Sequence, residues 1–374
     1  DSDIDDCGDC FGSNAGQDDC GDCYGGNAGM DDCGVCYGGN ADQDCNGDCF
    51  GDAYIDDCGI CDNDSTNDCV DYTIEINLNN ELISFYALPE NTSVDNIFSG
   101  IENQDPGLLG EGMSAIYDVE SQNWLGTLTD IEPTGGYWVI IDGSSSLDVA
   151  EAIPTNPSTE YDLHIHTNLI SYPFAGFSPI EETIPLDAQG SIDAILGEGT
   201  AALNTGDDWA GSLEQLSGTE GYWFITNAAV SFTYNAPVEG SARMASLIRA
   251  VPLEYTFKQS TQQSFYFVEV ATIEGDPIEK EDLIIAYNGD VRVGSRYWYG
   301  DVTDVPAMGT DGSDTYAGYC SSGDRISFKV LDASSGNLVD MDVTGETTWE
   351  NNGFSIISLS KRSIPEEISL SPAY

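Results

Sequence analysis

The chain has 374 residues, of which 66 are Asp or Glu and 10 are Lys or Arg, giving a formal charge of -56. Hydrophobic residues make up 40%, so cores can form, but self-repulsion on this scale opposes compaction unless cations, high salt or a basic partner offsets it. Nucleic acid and anionic membrane surfaces are excluded as partners because both require a basic patch, and no apolar run approaches the ~18 residues that a membrane span needs.

The bases are unevenly placed: the first is Arg243, so residues 1–242 contain no Lys or Arg. Cysteine is uneven too, with eleven of the twelve lying between Cys7 and Cys69. That density in a stretch without a core points to an oxidising, extracellular compartment. The chain opens without a signal peptide, as mature secreted material would.

Residues 1–70 repeat with a period of about thirteen. Asp5-Asp6-Cys7-Gly8-Asp9-Cys10 returns as Asp18-Asp19-Cys20-Gly21-Asp22-Cys23 and again from Asp31-Asp32-Cys33. A looser copy starts at Asp44, with Cys45 and Cys49 one residue further apart, and the last at Asp56-Asp57-Cys58. Each of the first four units has a single aromatic (Phe11, Tyr24, Tyr37 or Phe50), too little for a core. Order must therefore come from cross-links, ions and neighbouring units.

The segment holds 19 Asp and no Glu. Short Asp and Asn side chains fold back onto their own turns and are the oxygen donors of tight calcium loops, where Gly permits the sharp bends. The expected cofactor is calcium, with Asp5, Asp6, Asp18, Asp19, Asp31, Asp32, Asp44, Asp56, Asp57, Asn14, Asn27 and Asn40 as ligand candidates. Four-thiolate zinc and thioredoxin-like redox chemistry are the weaker readings of the repeated C-x-x-C. Joining the second Cys of one unit to the first of the next uses up the array: Cys10–Cys20, Cys23–Cys33, Cys36–Cys45, Cys49–Cys58 and Cys61–Cys69. Each bond would close a loop of about ten residues, worth roughly 2–3 kcal/mol; bonds within each C-x-x-C are the competing scheme. Cys7 and Cys320 are left over, Cys7 through loss of an upstream partner or through a bond to another chain.

This stretch resembles the thrombospondin type 3 family and its bacterial D-C-G-x-C-x-G-x-N relatives. The resemblance implies aspartates wrapping calcium around a disulfide ladder with little regular secondary structure. The family's D-x-D-x-D-G core is absent, which leaves the leading Asp pairs and the Asn of each unit as candidates.

Beyond Cys69 the composition changes. Tyr72–Leu78 alternates as a half-buried strand does, and an internal duplication follows. Leu82-Ile83-Ser84 reappears as Leu169-Ile170-Ser171, and Leu109-Gly110-Glu111-Gly112 as Leu196-Gly197-Glu198-Gly199. Trp124-Leu-Gly-Thr-Leu128 reappears as Trp209-Ala-Gly-Ser-Leu213, and Gly136-Tyr137-Trp138 as Gly221-Tyr222-Trp223. Two β modules are expected, 71–155 and 156–238, each with one brief helix, near Val94–Ile101 and Ile192–Leu196. The tryptophans read as core residues rather than a sugar platform. His164 and His166 read as surface residues rather than a metal pair. The modules are similar to N-L-I-S … W-x-G-x-L … G-Y-W modules of large secreted proteins from Bacteroidetes and related phyla, a resemblance that carries no activity.

All ten bases fall in 239–363, where strand patterns at Gln263–Val270, Leu283–Tyr287, Val291–Trp298, Ile326–Leu331 and Phe354–Leu359 suggest a β-sandwich. Asp301–Cys320 reads as a long loop whose Asp304, Asp311 and Asp314 are candidates for a further calcium. Ala286–Asp290, Val293–Arg296 and Pro306–Gly309 look like a sandwich module of type IX secretion cargo. Residues 364–374 look like a linker toward that system's sorting domain. Ser65 fits a short O-glycosylation pattern of such bacteria, and Asn63 and Asn91 fit the N-linked one.

The fold class expected is thus mainly β: an irregular disulfide- and calcium-stapled array, two duplicated β-rich modules and a C-terminal β-sandwich. No G-x-S-x-G or H-E-x-x-H occurs, and two histidines leave little room for general base chemistry, so no catalytic residues are assigned and the protein reads as not an enzyme. The reading is a secreted or cell-surface structural subunit, a homo-oligomer assembling head-to-tail into a filament or stalk. The alternative is an adhesin or polysaccharide binder with the array as spacer.

Overall fold

Each thirteen-residue unit of the array folds around one aspartate. In the computed structural model, which describes residues 4–56, 58–59, 61–64, 68–77, 79–237 and 249–362, Asp5 Oδ1 accepts from the amides of Cys7 and Asp9, and Oδ2 accepts from the amide of Asn14. Asp18 does the same for Cys20, Asp22 and Asn27, and Asp31 for Cys33, Val35 and Asn40. A carboxylate that caps three amides turns a segment without apolar content into a defined loop. Two backbone bonds, Asp5 N to Asp9 O and Gly8 N to Asp5 O, close the turn across Cys7–Asp9. The aromatic after each second cysteine has left-handed backbone, with φ between 56° and 59° at Phe11, Tyr24, Tyr37 and Phe50.

The chain divides into two units, 1–70 and 71–374. The first contains the array and one short antiparallel pair, Tyr54–Ile55 with Cys61–Asp62. The second is built from several sheets, and the protein is mainly β.

The duplication is visible strand for strand. The first module forms a five-stranded antiparallel sheet in the order Asn79–Ser84, Gly136–Ile141, Gly107–Gly110, Met113–Asp118, Asn123–Gly126. The second repeats it with His166–Ile170, Tyr222–Thr226, Ile192–Leu196, Ala201–Asn204, Trp209–Gly211. Registers coincide: Leu82 faces Trp138 as Leu169 faces Trp223, and Ile116 faces Leu125 as Leu203 faces Ala210. The first module has its helical turns at Val94–Ile97 and Ser99–Gln104. Ile192–Leu196 is a buried central strand instead of the expected helix. A five-residue apolar run is too short for periodicity to tell the two apart; the helical turns of this module lie at Ile180–Thr183 and Leu186–Gln189.

The C-terminal domain is a two-sheet sandwich. One sheet contains Gln263–Ile273 and Phe354–Lys361 in parallel, with Thr303–Met308 antiparallel to the former. The other is ordered Val291–Tyr297, Leu283–Asn288, Ile326–Asp332, Asn337–Asp340. Tyr266, Ile284, Val305, Phe328, Trp349 and Leu359 fill the space between. Of the module tryptophans, Trp138 is buried as the core expectation has it, whereas Trp124, Trp209 and Trp223 are half-buried.

Candidate functional site

The disulfides run in a different register from the shortest-loop scheme. The bonds are Cys7–Cys23, Cys20–Cys36, Cys33–Cys49, Cys45–Cys61 and Cys58–Cys69. Each joins the first Cys of one unit to the second Cys of the next, apart from the closing Cys58–Cys69. Cys10–Cys20, Cys23–Cys33, Cys36–Cys45, Cys49–Cys58 and Cys61–Cys69 are therefore all corrected. Chain entropy barely separates the schemes: a sixteen-residue separation costs only about 0.4 kcal/mol more than a ten-residue one. In the folded units the first Cys turns toward the following unit and the second toward the preceding one, the reverse of the shortest-loop scheme. The unpaired cysteines are Cys10 and Cys320 rather than Cys7 and Cys320. Cys320 is fully buried, and burial pushes its thiol up to about 12; Cys7 is bonded to Cys23, which corrects the expectation of an upstream partner or a bond to another chain.

The spacing irregularity at Cys45 has a local explanation. Asp44 Oδ1 caps the amides of Asn46 and Asp48, as Asp18 caps Cys20 and Asp22. The frame of thirteen is thus kept, and Cys45 occupies the place of the second aspartate.

The second aspartates and the asparagines form pairs. Asp6 N donates to Asn14 Oδ1 and Asn14 Nδ2 donates to Asp6 Oδ2, at 2.9 and 2.8 Å. Asp19 with Asn27 and Asp32 with Asn40 repeat this. Successive units are tied by tyrosines: Tyr24 donates to Asp9 and Tyr37 to Asp22. Sequence reasoning had no role for Asp9 and Asp22, although the thirteen-residue recurrence of Asp and Tyr was there to be read. Amides hold the Asp31 carboxyl below its usual range, that of Val35 foremost. Burial opposes the same effect at Asp18, where the amides of Asp22, Asn27, Cys20 and Gly21 outweigh it.

This donor set suits a hard cation in its chemistry, being carboxylates that keep lone pairs after taking one N–H each. The side chains of Asn14, Asn27 and Asn40 are engaged with Asp6, Asp19 and Asp32. Among the described residues no three acidic, His or Cys side chains converge on one point. Asp57 and Ser65 lie outside the described residues, as does 364–374; Asn63 and Asn91 are exposed.

Asp304 is not a loop ligand. It sits on the strand Thr303–Met308, fully buried. Arg296 Nη2 lies 3.1 Å from its Oδ2, and the amides of Ala201 and Ser212 donate to it at 3.2 and 2.9 Å. It therefore fastens the second module to the sandwich and is unavailable to a cation. Asp311 and Asp314 are exposed, and Asp311 caps the Ser313 amide.

The two modules meet reciprocally. Glu198 Oε2 accepts the Leu82 amide at 3.0 Å, and Glu111 Oε2 accepts the Leu169 amide at 2.8 Å. Ser84 N donates to Thr219 O and Ser171 N to Thr134 O. Equivalent residues exchange equivalent bonds, which is an isologous interface about a pseudo-two-fold axis. Gly136 and Gly221 meet at its centre, where a Cβ on Gly221 would lie 2.7 Å from Ile83 O and 3.3 Å from Gly136 Cα, so only glycine allows the approach. The glutamate shared by both L-G-E-G copies was the available signal. His164 Nε2 joins Glu111 Oε1 at 2.7 Å, while His166 begins the strand with φ 85°; the pair does not converge.

Three of the clefts among the described residues of this unit are lined by charged and aromatic side chains. One of about 350 Å³ is lined by Glu81, Glu198, Gln215 and Glu220. Burial, then Glu81, pushes the Glu198 carboxyl up to about 8. Another of about 350 Å³ is lined by Glu111, Tyr137, Tyr161 and Asp162. The third, of about 510 Å³, is lined by Arg249, Lys280, Trp298 and Tyr299, with the Arg249 guanidinium 4.0 Å from the Tyr297 ring centre.

Comparison with protein-family models, with curated proteins and with solved structures finds no match.

Proposed function

We propose that this protein is a secreted structural subunit of a bacterial surface filament or stalk, assembled head-to-tail in the presence of calcium. The observation that carries this reading is the disulfide ladder. Its bonds interleave, since Cys20 lies within the Cys7–Cys23 span and Cys33 within Cys20–Cys36. A pull on the array therefore meets a covalent bond in nearly every unit, which suits a load-bearing part. Such a ladder also belongs to an oxidising compartment, in keeping with the likeness to thrombospondin type 3 repeats and type IX secretion cargo.

Charge makes self-assembly depend on cations. Residues 1–242 carry no Lys or Arg, and the C-terminal domain, which holds every base, is still acidic with 19 Asp and Glu against 10 Lys and Arg, so a head-to-tail contact needs bound cations to offset repulsion and propagates if it does not close. Calcium held by the spare oxygens of Asp6, Asp19 and Asp32 would offset repulsion along the array. Negative-stain microscopy of the purified protein with calcium tests the reading: filaments are expected, and particles that remain single overturn it.

One observation favours the second reading, a polysaccharide binder. The cleft of Arg249, Lys280, Tyr297 and Tyr299, with Glu214 and Glu281 also on its wall, sets charged hydrogen-bonding groups beside aromatic rings, a pairing suited to sugar rings. Single particles retained on a polysaccharide column would select that reading.

A further inference from the structure

The two modules share one sheet and one register, yet among the described residues only the second has its outer face covered. In the second module Ala194, Leu196, Ala201 and Leu203 pack against Phe265 and Phe267 of the sandwich, with Phe354 beside them. The equivalent positions in the first module, by register, are Gly107, Leu109, Ser114 and Ile116. Leu203 is 6% exposed where its counterpart Ile116 is 59% exposed, and Leu125, facing Ile116 across the hairpin, is 51% exposed. Burying an apolar sheet face is what stabilises such modules, and the duplicate shows what kind of surface covers this one: a sandwich sheet bearing apolar side chains.

The same sandwich sheet extends past the part that the second module covers. Ile356 is registered with Phe267 and Val270 with Ser358, which puts Ile356 and Val270 on the face of Phe265 and Phe267. They are 45% and 51% exposed. Their strands belong to the domain that holds the chain's bases, and Lys361 ends the strand of Ile356. The first module, in contrast, contains no base at all. Two first modules facing each other would meet without a base on either side, whereas the C-terminal domain brings bases to the contact, 10 beside its 19 acids.

We infer that the outer sheet face of the first module, centred on Ile116 and Leu125, docks the C-terminal β domain of a second copy of this chain through the exposed sheet around Val270 and Ile356. The inference rests on the head-to-tail reading and assigns its two contacting faces.

The test uses the full chain. A double variant, Ile116→Ser with Leu125→Ser, is compared with the parent by sedimentation equilibrium and negative stain in calcium. Both side chains are exposed, so the fold should survive, as circular dichroism would verify. Self-association is expected to weaken roughly 100-fold, the effect of two aliphatic side chains left in water. A photo-cross-linking residue at position 125 should join residues 263–273 or 354–361 of another copy. Parent filaments matched by equal filaments of the variant would overturn the inference and leave the filament reading standing. Cross-links from 125 to the first module of another copy would also overturn it. A parent chain without self-association would overturn both.

Discussion

The array and the β unit solve the same problem with opposite means. In the array the aromatics Phe11, Tyr24, Tyr37 and Phe50 are exposed, and order comes from aspartates capping amides and from bonds between cysteines. In the β unit Phe265, Phe267, Trp138 and Trp349 are buried, and the aspartate that matters most, Asp304, is buried with them. The comparison teaches that an aspartate's role follows from what lies around it. On a surface turn it replaces a core; inside a core it needs a cation and donors of its own.

Reduction should split the two regions most widely. Native disulfides in small domains contribute about 2–5 kcal/mol each, so dithiothreitol should abolish amide protection throughout residues 4–69 while that of the sandwich persists, as hydrogen exchange would record. Persisting protection in the reduced array would break the comparison. Next in size is Asp304→Ala. It leaves Arg296 buried without its carboxylate and strands two amides, at about 3–5 kcal/mol, read as a lowered denaturant midpoint of the β unit.

Glu198 sharpens the contrast through pH. Its folded value of about 8 exceeds the ordinary ~4.3 of a glutamate. Its contribution is therefore full below pH ~4.3 and is lost as pH rises through about 8. The melting temperature of the β unit should fall between pH 5 and pH 9, and Glu198→Gln should remove about 2–4 °C of that fall; a parallel curve for the variant would count against the assignment. The array runs the other way. Asp18 and Asp31 lie below their usual range, so their contribution is present above pH ~4 and vanishes as acid protonates them. Amide protection at Asp22, Asn27, Val35 and Asn40 should weaken below pH ~4 with the disulfides intact, the smallest of these effects because the turns are exposed.

Much of this was legible in the sequence. The β class, the array and the duplication follow from alternation, composition and repeated words such as L-G-E-G and G-Y-W. The disulfide register was not, because loop entropy is nearly flat between the rival pairings and the spacing does not say toward which neighbouring unit each cysteine turns. Asp304 was misplaced because an acid among glycines and aspartates looks like a loop residue, and its partners Arg296, Ala201 and Ser212 are distant in sequence. The glutamates of the module interface stood in plain view as repeated letters, but one sequence does not say that each copy's letter grips the other copy.

The span of sixteen residues in most of the bonds bears on how the protein is made. Cys7, Cys10 and Cys20 all emerge ahead of Cys23. Wherever oxidation keeps pace with emergence, the pairs first within reach are Cys7–Cys10 and Cys10–Cys20, and neither belongs to the finished ladder. The first native bond waits for the next unit, and so does each one after it until Cys69 closes the series. Maturation is then a matter of thiol–disulfide exchange, and its rate would follow the supply of isomerase more closely than the supply of oxidant.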